Sequence, residues 1–375
     1  MSFLSEKILQ KIKSSGPISF ESFMEMALYY PELGYYSRPG AVVGRSGDFY
    51  TSAHLHKLFG AMLGKQMIEM WIHLGQPKIF NIVEMGAGMG LLAKDMLDYL
   101  KAHEIFDRLK YSIVEISPTL RQKQAETLAE YQDKILWFDR IESLHDFEGC
   151  LFSNELLDAF PVRLVQMDDG VFKEVMVSEE GGTFRETLAP CDDDTQKYID
   201  RFFLQDGETF HDGYRTEINL GVKEWLETLS RKLLRGFVMT IDYGYPVWDY
   251  YSQRRNRGTL LCYHRHRVNE KPYQNIGEQD ITAHINFSSL KVWGEALELK
   301  TIGFCPQGTY LVSLGLDEAI KEFYGEEPAT GLLLNLKALI LPEGMGMSHK
   351  VMIQYKGERI PPLRGFSFRN EADRL

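Results

Sequence analysis

The 375-residue chain is poor in several things, and each shortage narrows what it does. It has four cysteines, Cys150, Cys191, Cys262 and Cys305, and no two stand in a C-x-x-C pair. That spacing excludes a zinc knuckle and a dithiol redox centre. Free thiols in a chain of this length fit a reducing compartment. Positive charge is also short, with 42 Lys and Arg against 53 Asp and Glu and a net charge of −11. General nucleic-acid binding wants a basic face, so it is not expected, whereas a basic partner suits this balance. No apolar run approaches the length of a transmembrane helix, and no membrane insertion is expected. The first residues, MSFLSEKILQKIKSSG, lack the apolar core of a secretory signal. They alternate Phe3/Leu4, Ile8/Leu9 and Ile12 with Lys and Glu, the pattern of an amphipathic helix. A cytoplasmic location is the expectation. Internal repeats and low-complexity segments are absent too.

What is present is an α/β rhythm. Apolar and charged fractions of 44% and 25% are ordinary for a soluble globular chain. The length suits one large α/β domain with insertions, or one plus a smaller domain. A second helix starts near Ser19 as N-cap. PELGYYSRPGAVVGRSGDFYTS (31–52) has no period and reads as a long loop, a frequent carrier of function. Ser52 is a candidate cap for the helix that follows. KIFNIVEM, KYSIVEIS, KILWF and GCLFSN then read as strands, separated by GLLAKDMLDYLKAH and by PTLRQKQAETLAEYQ, which Ser117 and Pro118 open as N-cap and N1. This order predicts a mostly parallel, doubly wound sheet. Residues 162–219 break the rhythm with a hairpin turning at Asp169-Gly170 and a helix over 192–205. Helix VKEWLETLSRKLL and strand GFVMTIDYG restore it, a polar loop covers 243–280, and helices from Ser288 to about 341 precede a last strand, KVMIQYKG. The expected organisation is an N-terminal helical region with its pocket loop (1–75), a core (76–161 and 220–375) and an insertion or lid (162–219).

The segment NIVEMGAGMGLL (81–92) follows the first of these strands. Gly86, Gly88 and Gly90 let backbone approach a ligand closely. The dinucleotide pattern G-x-G-x-x-G/A fails from Gly86, because Leu91 takes the sixth place, and matches from Gly88 to Ala93. Spacing alone therefore leaves a nicotinamide-dependent oxidoreductase open. Glu84 tips the balance: beside a pyrophosphate it would set like charges together, whereas S-adenosylmethionine presents an ammonium and a sulfonium. Glu115 ends the second strand, where a carboxylate accepts from ribose hydroxyls. Asp139 follows the third strand and can accept from an adenine amino group, with Phe138 available to stack. Asn154 and Glu155 end the fourth. Each acid alone is an ordinary strand-end residue, but four at one edge mark the ligand edge of an open α/β sheet.

VEMGAGMGLLAKDML, SNELLDAFPV, LGYYSRPGAVVGRSGDFYTS and GEQDITAHINF together resemble the MidA-like class I methyltransferases, in order and over nearly the whole chain. The glycine loop departs from the family form in one place, Ala87 standing where the family carries Pro. The resemblance implies a Rossmann-like methyltransferase sheet with an N-terminal helical lid and inserted substrate-side elements. It implies S-adenosylmethionine as cofactor, held at Glu84, Gly86, Gly88, Gly90, Glu115, Asp139 and Asn154. Asp48 and Thr51, in the segment Gly47–Ser52, would border the methyl-donor pocket. The family includes a mitochondrial protein arginine methyltransferase that helps assemble a respiratory complex, so the implied partner is a protein substrate, a respiratory-complex subunit or another basic segment. The start of the chain shows no transit-type composition, which favours a bacterial, cytoplasmic member.

An arginine acceptor keeps its proton at neutral pH and calls for a carboxylate fork. Two acidic pairs qualify. Glu155 and Asp158 follow the fourth strand, and Glu278 and Asp280 follow the polar loop. Glu155 is the first candidate for the clamp; Asp158 reads equally well as a helix-turn cap, and Glu278 and Asp280 as loop-ordering groups. His284 alternates with Ile281, Ile285 and Phe287 and reads as a structural histidine. CYHRHRV (262–268) resembles a metal tract, but His264 and His266 have no further ligands in reach of the spacing, and no metal is expected. Tyr35, Tyr36 and Tyr50 either wall the pocket or pack the N-terminal helices. The N-P-P-Y-type motif of amide and adenine acceptors is absent, since Glu155-Leu156-Leu157 follows Asn154. A non-catalytic assembly protein on the same fold is the remaining alternative, and the intact acids weigh against it.

Overall fold

The computed structural model describes residues 2–38, 57–203, 209–325 and 336–375. Its centre is a sheet of seven main strands: β1 (Phe80–Met85), β2 (Leu109–Val114), β3 (Ile135–Phe138), β4 (Phe147–Asn154), β5 (Leu233–Tyr245), β6 (Lys300–Pro306) and β7 (His349–Lys356). Their spatial order is β6-β7-β5-β4-β1-β2-β3. Strands β5, β4, β1, β2 and β3 run parallel, and β7 pairs antiparallel with β5 and β6. Chain order reverses between β1 and β4, and beyond the C-terminal ends of strands at such a switch point a crevice opens.

Strand periodicity divides the core in two. Ile82, Tyr111, Phe237 and Met239 face one side with Met62, Leu63 and Met67 of helix α3 (Lys57–His73) and Met96 and Leu97 of helix α4 (Leu91–Leu100). Val83, Leu151, Val238 and Met352 face the other with Trp225, Leu226 and Leu229 of the helix Gly221–Lys232. Both faces are covered, which is why the central strands read as nearly continuous apolar runs. Among helix starts, Ser117 accepts from the Leu120 N–H at 3.4 Å with Pro118 at the first helical position of Pro118–Thr127.

A second sheet sits apart from the first. Arg163–Asp168, Val171–Glu180, Thr183–Pro190 and Arg215–Ile218 form it, and Ile18–Ser19 from the chain's beginning adds an edge. The hairpin turns where expected, with Asp169 and Gly170 at φ 51° and 75°, the left-handed pair that matches strand twist. Helices α1 (Phe3–Ser15) and α2 (Phe20–Tyr29) pack Ile8, Ile12, Phe20 and Phe23 against Leu164, Val175 and Val177 of this sheet.

Three expectations change. Lys300–Pro306 is a strand, β6, inside the stretch read as helical; Phe304, Cys305 and Pro306 gain their ladder from β7, a pairing that no local pattern announces. The polar loop 243–280 carries its own antiparallel strands: Leu261–His264 pairs with Arg267–Asn269 on one side and with Asp280–Thr282 on the other. The helix expected after Ser288 begins at Phe287, because Asn286 caps it by accepting from the Ser288 and Ser289 N–H groups. The Ser52 cap and most of the 31–52 loop lie outside the described residues.

Candidate functional site

A cavity of about 490 Å³ opens at the C-terminal ends of β1 to β4. The loop after β1 forms its floor. Gly86, Gly88 and Gly90 all adopt positive φ (70°, 52° and 77°), so the loop folds back without side chains. At Gly86 the demand is steric as well, since an added Cβ would lie 2.8 Å from Leu156 Cδ1. Gly86 and Gly88 line the cavity; Gly90 is buried just behind, as the left-handed residue that opens α4.

Glu84 reaches the cavity from beneath this loop and is almost fully buried. Tyr111 Oη on β2 donates to its Oε2 at 2.7 Å. Burial raises the carboxyl to about 7, against which the Tyr111 bond works. Glu115 is held from two sides: the Ser117 N–H donates to Oε1 (2.9 Å) and Gln124 Nε2 to Oε2 (3.1 Å). Gln124 also donates to the Gly88 carbonyl at 3.0 Å, which ties the acid to the glycine loop. Burial raises Glu115 above the usual carboxylate range despite these bonds. Asp139 is exposed at the rim, and Ser143 Oγ donates to its Oδ1 at 3.0 Å, which lowers it. Phe138 packs toward the second core, and Ile116, 62% exposed, supplies the open apolar wall next to Glu115.

The far wall is acidic and aromatic. Asn154 and Glu155 line it at the end of β4, beside Tyr29 and Tyr36. Glu155 has φ 51°, an unfavourable conformation for a non-glycine residue and one that clusters at functional sites. Its N–H is tied to the Ile241 carbonyl at 2.8 Å. Asn154 Nδ2 donates to Glu155 Oε1 (3.2 Å) and Tyr243 Oη to Oε2 (3.2 Å). Behind this wall stand three further buried acids. Asp158 does not line the cavity; burial, then Asp242, Asp280 and Glu155, hold it well above the carboxylate range. Asp242 accepts from the N–H groups of Leu157, Asp158 and Tyr243 and is raised to about 8, chiefly by burial and then by Glu155. Asp280 accepts from Tyr36 Oη at 2.9 Å. Tyr36 in turn stacks on Tyr29, with ring centroids 5.5 Å apart at 21°. His349 Nε2, at the start of β7, lies 3.7 Å from Glu155 Oε1.

The structure thus brings Glu84, Gly86, Gly88, Glu115, Asp139, Asn154 and Glu155 to one cavity, with Asp158 and Asp280 a layer deeper. Glu278 is exposed away from it, its carbonyl paired with His264 Nδ1. Tyr35 is buried in the N-terminal core, and Asp48, Thr51 and Tyr50 lie outside the described residues. His264 and Arg267 pair across a hairpin, and among the described residues no group of three His, Cys, Asp or Glu is placed to hold a metal. His284 is buried, as a structural histidine would be, but its Nδ1 has no partner among the described residues, and burial lowers the ring to about 4. Sequence reasoning missed Asp242, Tyr243, Tyr29 and His349. The strand-end rule, extended to the fifth strand of TIDYGY, reaches Asp242; no local signal reaches Tyr29 or His349.

Residues 62–305 match the model of a protein family described as "Putative S-adenosyl-L-methionine-dependent methyltransferase". The chain belongs to that family. A Burkholderia thailandensis chain solved with S-adenosyl-homocysteine bound is 30% identical to this methyltransferase, with a TM-score of 0.90 and coverage of 99% of this chain and 96% of that one. Curated relatives include "Protein arginine methyltransferase NDUFAF7 homolog, mitochondrial" of Drosophila melanogaster, 25% identical over 94% of this chain and 85% of that one. The mouse "Protein arginine methyltransferase NDUFAF7, mitochondrial" is 26% identical over 90% of this chain and 81% of that one. The protein is a methyltransferase dependent on S-adenosylmethionine, and the nicotinamide reading of Gly88–Ala93 falls away. The cytoplasmic expectation is also corrected, because these relatives are named mitochondrial. Free thiols and acidic composition speak to redox state and solubility, and neither selects among reducing compartments. Among the described residues no helix is long and apolar enough to cross a membrane.

Proposed function

We propose that this methyltransferase acts on an arginine side chain of a protein, with Glu155 as the group that clamps the guanidinium. One observation carries the reading: Glu155 faces the donor cavity and also belongs to the buried acidic layer of Asp158, Asp242 and Asp280. Stacking buried carboxylates together is costly, and protonation or a cation relieves it. A guanidinium supplies the charge and a planar fork that a carboxylate accepts in two bonds. Tyr29 and Tyr36 offer ring faces suited to its plane. The names of the curated relatives support the same acceptor, and the net charge of −11 suits a basic segment.

The residues present fit S-adenosylmethionine. The glycine loop clears room for it, Glu84 answers its cationic end, and Glu115 keeps lone pairs for ribose hydroxyls. Asp139 stands at the rim for the amino group of the base, and Asn154 Oδ1, buried and without a partner among the described residues, is open to a donor. Gly90 shapes the loop from behind, and Asp48 and Thr51 complete the assignment from sequence. The bound cofactor supplies a methyl carbon activated by a sulfonium. The chain's own residues do the rest by alignment: Glu155 and Tyr243 fix the acceptor nitrogen, and the aromatic wall excludes water. Asp158 and Asp280 hold Tyr243 and Tyr36 in place.

Mass spectrometry of methylated proteins from cells with and without the enzyme tests this reading. The expected result is loss of an arginine methyl mark that returns with the wild-type protein and stays absent with Glu155→Gln. Loss of a small-molecule methyl product with every arginine mark intact rejects it.

A further inference from the structure

Methylation of a guanidinium leaves one proton to be removed from a site that is closed off by buried acids and tyrosines. The N–C bond forms while the S–C bond breaks and its electron pair stays on sulfur. Two positive charges enter, one on the sulfonium and one on the guanidinium. A neutral thioether and a methylguanidinium leave, so an N–H proton must go elsewhere.

One path from Glu155 to solvent is built into the start of β7. His349 is buried, its Nε2 has no hydrogen-bond partner among the described residues, and that atom lies 3.7 Å from Glu155 Oε1. This is about 0.5–1 Å beyond a direct hydrogen bond. On the other side of the ring, Nδ1 lies 3.1 Å from Ser348 Oγ, and Ser348 is exposed. Ser348 Oγ donates to the Gly344 carbonyl at 3.3 Å. When its hydrogen points there, the hydroxyl meets Nδ1 as an acceptor, and the ring hydrogen then sits on Nδ1 with Nε2 bare toward Glu155. A bare nitrogen and a carboxylate oxygen facing each other call for a proton between them. Tyr243 orders the pair from both directions, packing edge-on to the His349 ring (centroids 4.6 Å, 77°) while donating to Glu155 Oε2.

We propose that His349 and Ser348 are the proton exit of the acceptor site. Glu155 Oε1 takes the proton from the acceptor nitrogen, His349 Nε2 takes it from Glu155, the Nδ1 proton passes to Ser348 Oγ, and the hydroxyl's own hydrogen turns from the Gly344 carbonyl to water. Other titratable groups around His349 are Tyr243 and Asp242 on β5, Asp158 behind Glu155, His284, and Lys350 next along β7. His284, lowered to about 4, stays neutral, and burial lowers Lys350. The relay rests on the guanidinium reading of the site, and its test has an arm that does not.

That arm is NMR of the full-length protein with nitrogen-15 in its histidines, the His349 signals assigned by their loss in His349→Gln. Replacing Glu155 by Gln changes the group that faces Nε2, so the His349 Nε2 signal moves. An Nε2 signal that does not move overturns the relay whatever the acceptor is. The kinetic arm follows tritiated methyl transfer to an arginine-rich peptide. His349→Gln lowers kcat about tenfold or more at pH 7 with KM for the peptide within about twofold, and the deficit narrows as pH rises. Added imidazole restores part of the rate in His349→Ala. A raised KM with unchanged kcat, or a deficit indifferent to both pH and imidazole, overturns the proposal. A wild-type enzyme that labels no arginine peptide, with the NMR coupling intact, rejects the acceptor reading and leaves the Glu155–His349 pair established.

Discussion

The two walls of the cavity are built in opposite ways. The wall proposed for the methyl donor comes from one stretch of chain, residues 84 to 142, laid out strand by strand along β1, β2 and β3. Its parts are locally held: Gln124 bridges Glu115 to Gly88, and Ser143 holds Asp139 four residues back. The wall proposed for the acceptor draws Tyr29 from the end of α2 and Tyr36 from the turn after it, Glu155 and Asp158 from the turn after β4, Asp242 and Tyr243 from β5, Asp280 from a short strand and His349 from β7. Its members touch only because the sheet order puts them at one edge. In the proposed reading the donor wall is a scaffold for a ligand of fixed chemistry, and the acceptor wall is a concentration of buried charge whose cost a cation relieves.

The strongest way to separate the walls is Glu155→Gln. It removes the proposed clamp and leaves the glycine loop alone, so turnover drops on the order of 10²–10³-fold while calorimetric affinity for the methyl donor stays within about twofold. A parallel loss of donor affinity would merge the two walls into one unit. The reciprocal change is Gly86→Val. A side chain there meets Leu156 at 2.8 Å in a backbone held at φ 70°, and strain of that kind lowers donor affinity about 10–100-fold. Because Leu156 adjoins Glu155, this variant also reports whether the walls communicate through that contact.

A smaller effect lies in pH. Glu84 sits at about 7 in the folded protein against 4.5 as its ordinary value. A raised carboxyl contributes stability that is complete below about 4.5 and is lost as pH rises through about 7, amounting to roughly 3 kcal/mol. A cationic donor prefers the ionised form, so its binding releases a proton at lower pH. Donor affinity therefore rises with pH, by up to about tenfold per unit, and levels off above 7. Glu84→Gln flattens that slope; a slope that survives assigns the proton to another acid, Glu115 first. The least effect is expected from Ser117→Ala. It deletes the cap of the helix after β2 and costs about 1 kcal/mol in chemical denaturation. Turnover changes little, since the Ser117 N–H that holds Glu115 is backbone.

Legibility in the sequence followed the same division. Glu84, Gly86, Gly88, Glu115 and Asp139 were readable because strand, turn and cap signals are local and because parallel strands present their ends at one edge. Glu155 was readable as the next strand end. The depth of Asp158 was not, since a turn residue and a buried acid look alike until Asp242 and Tyr243 are placed around it. Glu278 and Asp280 stand two residues apart, yet one faces outward and the other accepts from Tyr36. Strand β6 escaped because its ladder partner, β7, lies more than forty residues along the chain.

The sequence by itself determined the parallel, doubly wound centre of the sheet, the glycine loop and the acids at its strand ends, because periodicity, turn chemistry and charge act over a few residues. Only the tertiary structure decided which acids are buried together, which tyrosines cover them, and that His349 stands between Glu155 and the surface. Those properties depend on distance and dielectric between segments up to 320 residues apart, from Tyr29 to His349, and burial alone shifts a carboxyl by several units.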